Sequence, residues 1–339
     1  MHRSGRNEGR RTMSGMDDAG IGRRALLGGL AATAGLGLTS RAAFAFPTQP
    51  ITFVVPYAPG STDQFARAFG SEMEKILGKT MLVETRPGAG GTIGANYVAK
   101  SAKPDGHTLL FSTSAPLSVA PHQNQLPYAV SDLRPVARVG LGPNVMGARI
   151  GAPFNDVKSL VAYAKANPEK VTFGSAGAGG GTHLSGEAFA LAADIKLTHV
   201  PFPGATPAVA ATVGGTIDLA LGFAQSIVPQ AKGGRMVAIA QFGKTRAKIL
   251  PDVPTFAESG VDLALSPLVG IWAPKATPDA VVQQLATAIE KAATGPAVVA
   301  FAQSTMTEVE FAGPDVFGRE IAEESAMMKP LLIKLGLAK

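Results

Sequence analysis

The sequence predicts an α/β protein of two lobes. Three observations carry this. Short β-branched apolar runs of strand length alternate with amphipathic runs of helical period. Glycine-rich loops join several of these strands to the helices that follow. The whole pattern runs once, stops, and restarts near residue 155. Ligands of open α/β sheets sit beyond the carboxyl ends of the strands. Two such units facing each other therefore place a cleft between them.

Composition bounds the alternatives. The 339 residues fit one large or two medium domains. Hydrophobic residues make up 46% and charged residues 17%, and the Gly 40 and Pro 25 follow no period, which excludes collagen, coiled coil and a charge-rich disordered chain. With aromatics at only 6%, the core must come mostly from Val, Leu, Ile and Ala. Cys is 0, which excludes disulfides, thiolate metal sites and a cysteine nucleophile.

In the first unit, Ile51–Val55 reads as a buried strand broken by Pro56-Tyr-Ala-Pro-Gly-Ser-Thr62. Thr62 or Asp63 is placed to cap a helix carrying Phe65, Phe69, Met73, Ile76 and Leu77, and Gly78 ends it. Met81–Glu84 is a second strand. Arg86-Pro-Gly-Ala-Gly-Gly91 leads into a helix with Ile93, Tyr97 and Val98, and Pro104-Asp-Gly106 turns the chain into a strand at Thr108–Phe111. This βαβαβ order predicts a parallel sheet covered by helices.

In the second unit, Asn155-Asp156 starts a helix over Val157–Ala166 that Asn167-Pro168 stops. The strand Val171–Phe173 runs into the loop Gly174–Thr182 and a helix through Leu184, Phe189 and Leu191. Strands follow at Leu197–Val200, Ile217–Leu221 and Met236–Ala240, with a helix reaching Val213 between the first two. Asp279–Ala293 and Val316–Met328 read as amphipathic helices near the C-terminus.

Residues 1–45 read as a leader. Arg23-Arg24 precedes the apolar run Ala25–Leu38, and Arg41 and Ala43-Phe44-Ala45 follow, the order of a signal peptide on the twin-arginine route with cleavage near Ala45. No other apolar stretch approaches a span, which excludes a multi-span membrane protein. The leader holds seven Arg and three acids, so the remainder carries 24 basic against 22 acidic side chains, and the formal charge falls from +6 to +2. That balance gives no case for a nucleic-acid partner.

Catalytic and cofactor motifs are weak. No G-x-S-x-G elbow is present, so His183, His199 and Asp218 have no marked serine to join. The five His show no metal-ligand spacing. Gly88-Ala-Gly90-Gly-Thr-Ile93 departs from the dinucleotide fingerprint at Ile93, and Ala238–Thr245 has a strand-like middle where a phosphate loop needs glycine. The expectation is no catalytic residue, no metal and no cofactor. The loops Pro59–Thr62, Ser112–Ser114 and Gly174–Thr182 instead offer backbone amides and hydroxyls at strand ends, without Lys or Arg. That chemistry suits a carboxylate held by neutral donors. A Kd of about 1 μM needs about 8 kcal/mol, within reach of a few charge-assisted hydrogen bonds at about 1.5–3 kcal/mol each.

The chain resembles a known family over nearly its whole length after the leader. The stretches that carry this are Pro50–Asp63, Glu84-Thr-Arg-Pro-Gly-Ala-Gly-Gly-Thr-Ile-Gly-Ala95, Pro104–Leu110 and His199-Val-Pro-Phe-Pro-Gly204. Gly214–Asp218, Leu250-Pro-Asp-Val-Pro-Thr-Phe-Ala-Glu-Ser-Gly260 and Trp272-Ala-Pro274 with Thr277-Pro278 continue it in order. They resemble the periplasmic receptors of tripartite tricarboxylate transporters, the Bug-type solute-binding proteins.

The resemblance implies a type II periplasmic binding fold: two α/β lobes joined by crossover strands, with the ligand cleft between them. Its lobes would be residues 46–146 with 271–339, and residues 147–270. It implies a periplasmic, monomeric, non-enzymatic receptor that captures a small carboxylate (a di- or tricarboxylate, an amino acid or an aromatic acid) and delivers it to the transporter's membrane subunits. A sensor docking to a signalling partner, or a hydrolase using His183, are the alternatives. Carried over by motif, the ligand-binding residues would be Tyr57, Pro59, Gly60, Ser61, Thr62 and Asp63 in the first loop, and Ser112, Thr113 and Ser114 after the third strand. In the second lobe they would be Ser175, Ala176, Gly177, Gly179, Thr182 and His183, then Phe202 and Gly204, and Asp218 after Gly-Gly. The chain departs from the family at Gly60, which stands alone where two glycines are usual, and at Phe202, where tyrosine is common.

Overall fold

A computed structural model describes residues 46–339; the leader lies outside the described residues. The first elements are β1 (Ile51–Val55), α1 (Ser61–Leu77), β2 (Met81–Thr85), α2 (Thr92–Lys100), β3 (Thr108–Thr113), α3 (Ala115–Ser118), α4 (Ala120–Gln123) and β4 (Leu133–Leu141). Then come β5 (Asn144–Arg149), α5 (Val157–Ala166), β6 (Thr172–Ser175), α6 (Gly181–Ala192), β7 (Thr198–Pro201) and α7 (Ala205–Val213). The chain continues through β8 (Leu219–Phe223), α8 (Ala224–Lys232), β9 (Met236–Gln241), β10 (Leu268–Pro274), α9 (Asp279–Ala292), α10 (Pro296–Thr305) and α11 (Pro314–Lys334).

Two five-stranded sheets result, ordered β2-β1-β3-β10-β4 and β7-β6-β8-β5-β9. Neither is wholly parallel. β10 runs antiparallel to β3 and β4, and β5 runs antiparallel to β8 and β9. The reversed strand of each sheet is the one that arrives from the other lobe. The chain changes sheet across Gly142-Pro143 and again between Gln241 and Leu268. These two crossings form the hinge.

Each sheet is covered on both faces, as sheets with buried parallel strands require. In the first lobe, Phe53 and Phe111 join Phe65 and Phe69 of α1 in one core, while Val54 and Leu110 point to the other with Trp272 and Phe317. The second lobe divides likewise, with Phe173 and Leu219 in one cluster and Val145 and Ala220 in the other. The helix α11 serves both lobes. Phe317 and Ile321 pack in the first, and Met328, Leu331 and Leu332 in the second. Gly270 makes this possible, because a Cβ there would lie 2.1 Å from the Phe317 ring.

The helix α5 has a complete capping box: the Asp156 carboxylate accepts from the Ser159 amide at 2.7 Å. The expected cap on α1 is absent. The helix starts one residue before Thr62, behind Gly60, because the Asp63 carboxylate reaches forward to Arg67 instead.

Candidate functional site

Four helices begin at the carboxyl ends of strands without a side-chain cap: α1 behind Gly60, α6 behind Gly180, α7 behind Gly204 and α8 behind Phe223. Their first-turn N–H groups have no partner within the helix and carry the positive end of the helix dipole. Three of the four preceding residues are glycine, which has no oxygen to fill that role. Among the described α-helices only α5 has a side-chain cap, so it is the position of these four starts, at the carboxyl ends of strands, that offers an anion donors at one end of each sheet.

In the first lobe, Ser61 is exposed and Thr62 half-buried at the start of α1. Pro59 and Gly60 lead into them. Thr113 ends β3 alongside, and the Tyr57 hydroxyl hydrogen-bonds Thr113 Oγ1 at 2.5 Å and Ser112 Oγ at 3.3 Å. Burial raises the Tyr57 pKa, and its hydrogen bonds to Ser112 and Thr113 pull in the opposite direction. Tyr57 and Ser112 therefore form the backing of Thr113. Asp63 is buried, and both of its oxygens accept from Arg67 at 3.1 Å. Ser114 turns away from the tip: its hydroxyl donates to Glu324 on α11 at 2.9 Å.

In the second lobe the loop after β6 is tied to itself. The Ala176 amide donates to Thr182 Oγ1 at 2.9 Å, the Gly179 amide to His183 Nδ1 at 3.0 Å, and the Gly177 amide to Ser175 Oγ at 3.3 Å. Ser175 is fully buried, 2.7 Å from His199 Nε2. The His183 and His199 rings lie 3.9 Å apart, which together with burial lowers the pKa of His199, burial being the larger cause. These side chains set the shape of the loop. Its exposed residues include Ala176 and Ala178, and the starts of α6, α7 and α8 supply further backbone donors, save the Ala224 amide, which donates to the Pro143 carbonyl at 3.0 Å.

The tips of the two lobes meet at the hinge. A cavity of about 130 Å³ is lined by Ser61, Thr62 and Thr113 from the first lobe and by Phe223 and Gln225 from the second, with Pro143 and Pro267 of the crossings between. A Cβ at Gly222 would lie 3.5 Å from Ala205, so the start of α7 stands beside the end of β8. Asn144, paired with Phe223 across the sheet, donates to Ser185 of α6 at 3.2 Å. The starts of α6, α7 and α8 thus adjoin the edge that faces α1.

A family model described as tripartite tricarboxylate transporter family receptor matches residues 65–337. The chain belongs to this receptor family. Protein BugT of Bordetella pertussis is 36% identical over 306 residues, covering 88% of this chain and 93% of BugT. A TctC solute-binding protein from Polaromonas superposes with a TM-score of 0.79 at 29% identity, covering 85% of this chain and 99% of the other. MatC from Rhodopseudomonas palustris, solved with bound malate, superposes with a TM-score of 0.67 at 30% identity, covering 85% and 100%. The two-lobed fold expected from the sequence is thus the fold of this receptor family.

Within the receptor, the expected site residues separate. Ser61, Thr62 and Thr113 line the inter-lobe cavity, with Tyr57 and Ser112 behind Thr113. Ala176, Gly177 and Gly179 belong to the loop after β6 and Thr182 to the first turn of α6, with Phe202 and Gly204 beside them; the Phe202 amide donates to the Ser175 carbonyl at 3.0 Å. Asp63, Ser114, Ser175 and His183 each have a hydrogen-bond partner inside the protein.

Asp218 lies apart from the other expected site residues. It precedes β8 beside Thr172, the first residue of β6, whereas the tip follows Ser175, about 10 Å along the strand. Its carboxylate accepts from Arg149 Nε at 3.0 Å and from the Thr172 amide and hydroxyl at 3.0 and 2.9 Å. Asp218→Ala is expected to cost about 2 kcal/mol of stability while ligand affinity stays the same, checked by urea unfolding and calorimetric titration. Phe223 and Gln225 were not expected at the site. No glycine loop precedes them, and only the uncapped start of α8 marks the position.

Proposed function

We propose that this receptor captures a small carboxylate between its lobes in the periplasm and hands it to the membrane subunits of a tripartite transporter. The observation that carries this reading is the set of four uncapped helix starts at the facing ends of the two sheets. They offer neutral donors and partial positive charge, and the one acid in these first turns, Asp63 of α1, is paired with Arg67. Binding would add contacts that exist only when both lobes approach, so the ligand favours the closed arrangement. The leader supports export by the twin-arginine route, and the receptor acts as a monomer. A non-catalytic role fits the burial of Ser175, whose hydroxyl is fully enclosed between the Gly177 carbonyl and His199 Nε2. Among the described residues no helix is long and apolar enough to cross a membrane.

Thermal unfolding with a panel of carboxylates tests the reading. An acid with a Kd of about 1 μM, supplied at about 1 mM, adds about 4 kcal/mol, or roughly 8 °C for a chain of this size. A shift with an uncharged sugar and none with any acid would refute it.

A further inference from the structure

We propose that the ligand is a monocarboxylate with an apolar body about the size of one ring, and that the inter-lobe cavity is the subsite for that body. This deepens the carboxylate reading and rests on it. The cavity opens beside Ser61 and Thr62 at the start of α1, where the acid group would be held. From there its walls are Phe65, Phe301 and Val269 of the first lobe, Phe223 of the second, Pro143 of the hinge, and Met306. No charged side chain lines it.

Size and chemistry agree. A volume of about 130 Å³ is close to the roughly 150 Å³ of an apolar protein cavity that accepts benzene. Phe223 is 40% exposed and forms part of the cavity wall, so its ring is free to be covered by a ligand. Phe65 and Phe301 stack 4.7 Å apart, giving one wall a rigid aromatic surface. The remaining polar lining is neutral: Gln225, Thr305 and Thr307 join the hydroxyls at the mouth. A second carboxylate in this cavity would exchange its water for the apolar walls of Phe65, Val269, Phe301, Phe223 and Met306, with Gln225, Thr305 and Thr307 the neutral polar groups beyond the mouth. Left outside, it would leave the apolar walls uncovered. Because the walls come from both lobes and the hinge, an apolar body here also links occupancy to closure.

Calorimetric titration of the purified protein with benzoate, malate and citrate tests this. Benzoate is expected to bind at least tenfold more tightly than either polycarboxylate. The variant Phe223→Ala is expected to lower the benzoate-to-malate affinity ratio at least fivefold. Malate or citrate binding as tightly as benzoate overturns the proposal while leaving the carboxylate reading intact, and so does a ratio that Phe223→Ala leaves unchanged. Failure of every acid to bind would remove the carboxylate reading and this inference together.

Discussion

Thr62→Asp is expected to weaken binding of the tightest acid in the panel by at least about a hundredfold without weakening the fold. The new carboxylate would sit in the first turn of α1, where the dipole favours it by roughly 0.3–1 kcal/mol. Stability should therefore hold or rise slightly. The ligand carboxylate would meet a like charge at close range, and two such charges about 4 Å apart near a protein surface repel by about 4 kcal/mol. Asp63 does not already exert this effect, because Arg67 accepts the role of its counter-ion at 3.1 Å. The neutral Thr62→Asn serves as control and should retain affinity within about tenfold, the value of one or two hydrogen bonds. Calorimetric titration and thermal unfolding of both variants give the two quantities. Equal binding by Thr62→Asp and the native chain would remove α1 from the site.

Glu324→Gln is expected to stabilise the protein at pH 8 and to leave it nearly unchanged at pH 4.5. The Glu324 carboxyl lies on α11 against Ser114 and Ser118, with one oxygen buried and unpartnered. Burial pushes its pKa up to about 7, against partial relief from the two serines. The folded value exceeds the unfolded value of 4.5, so the native state holds more protons between those pH values. This group's contribution is thus complete below 4.5, declines as pH rises through 7, and is flat above. The full span corresponds to about 3 kcal/mol. Glutamine keeps the shape and the acceptor for Ser114 and cannot ionise. Glu324 lines a second cavity, distinct from the inter-lobe one, with Glu308, Glu310, Glu320 and Glu323 and with Arg138 and Lys244 as the cations; burial raises the Glu320 pKa too. The difference between the native chain and the variant isolates Glu324. Parallel stability–pH curves from urea unfolding would contradict its placement.

The lobes were legible because their local signals agree with their tertiary roles. Ile51–Val55 is a continuous apolar run because both faces of β1 are covered, and Gly78 ends α1 with a left-handed φ of 65°. The glycines at 60, 180 and 204 could be read as loop residues preceding helices, and each proves to be the uncapped position. The crossover strands were not legible from periodicity. β4 contains Pro135, Arg134 and Arg138, which resemble loop residues in sequence. Arg138 is buried there because Glu310 and Glu320 approach it from distant segments, at 3.1 and 2.9 Å. Such pairing has no trace in a local window. Asp218 shows the converse case: an acidic residue after a glycine pair looks functional in sequence, and its partners Arg149 and Thr172 come from the two strands flanking β8, at the ends opposite the tip.

Amide chemical shifts followed during titration with the tightest-binding acid test the two-lobed grip most directly. The amides of Thr62 in the first lobe and of Thr206 and Gln225 in the second should move together along a single binding curve. Movement confined to one lobe, or separate midpoints for the two, would contradict a ligand held between them.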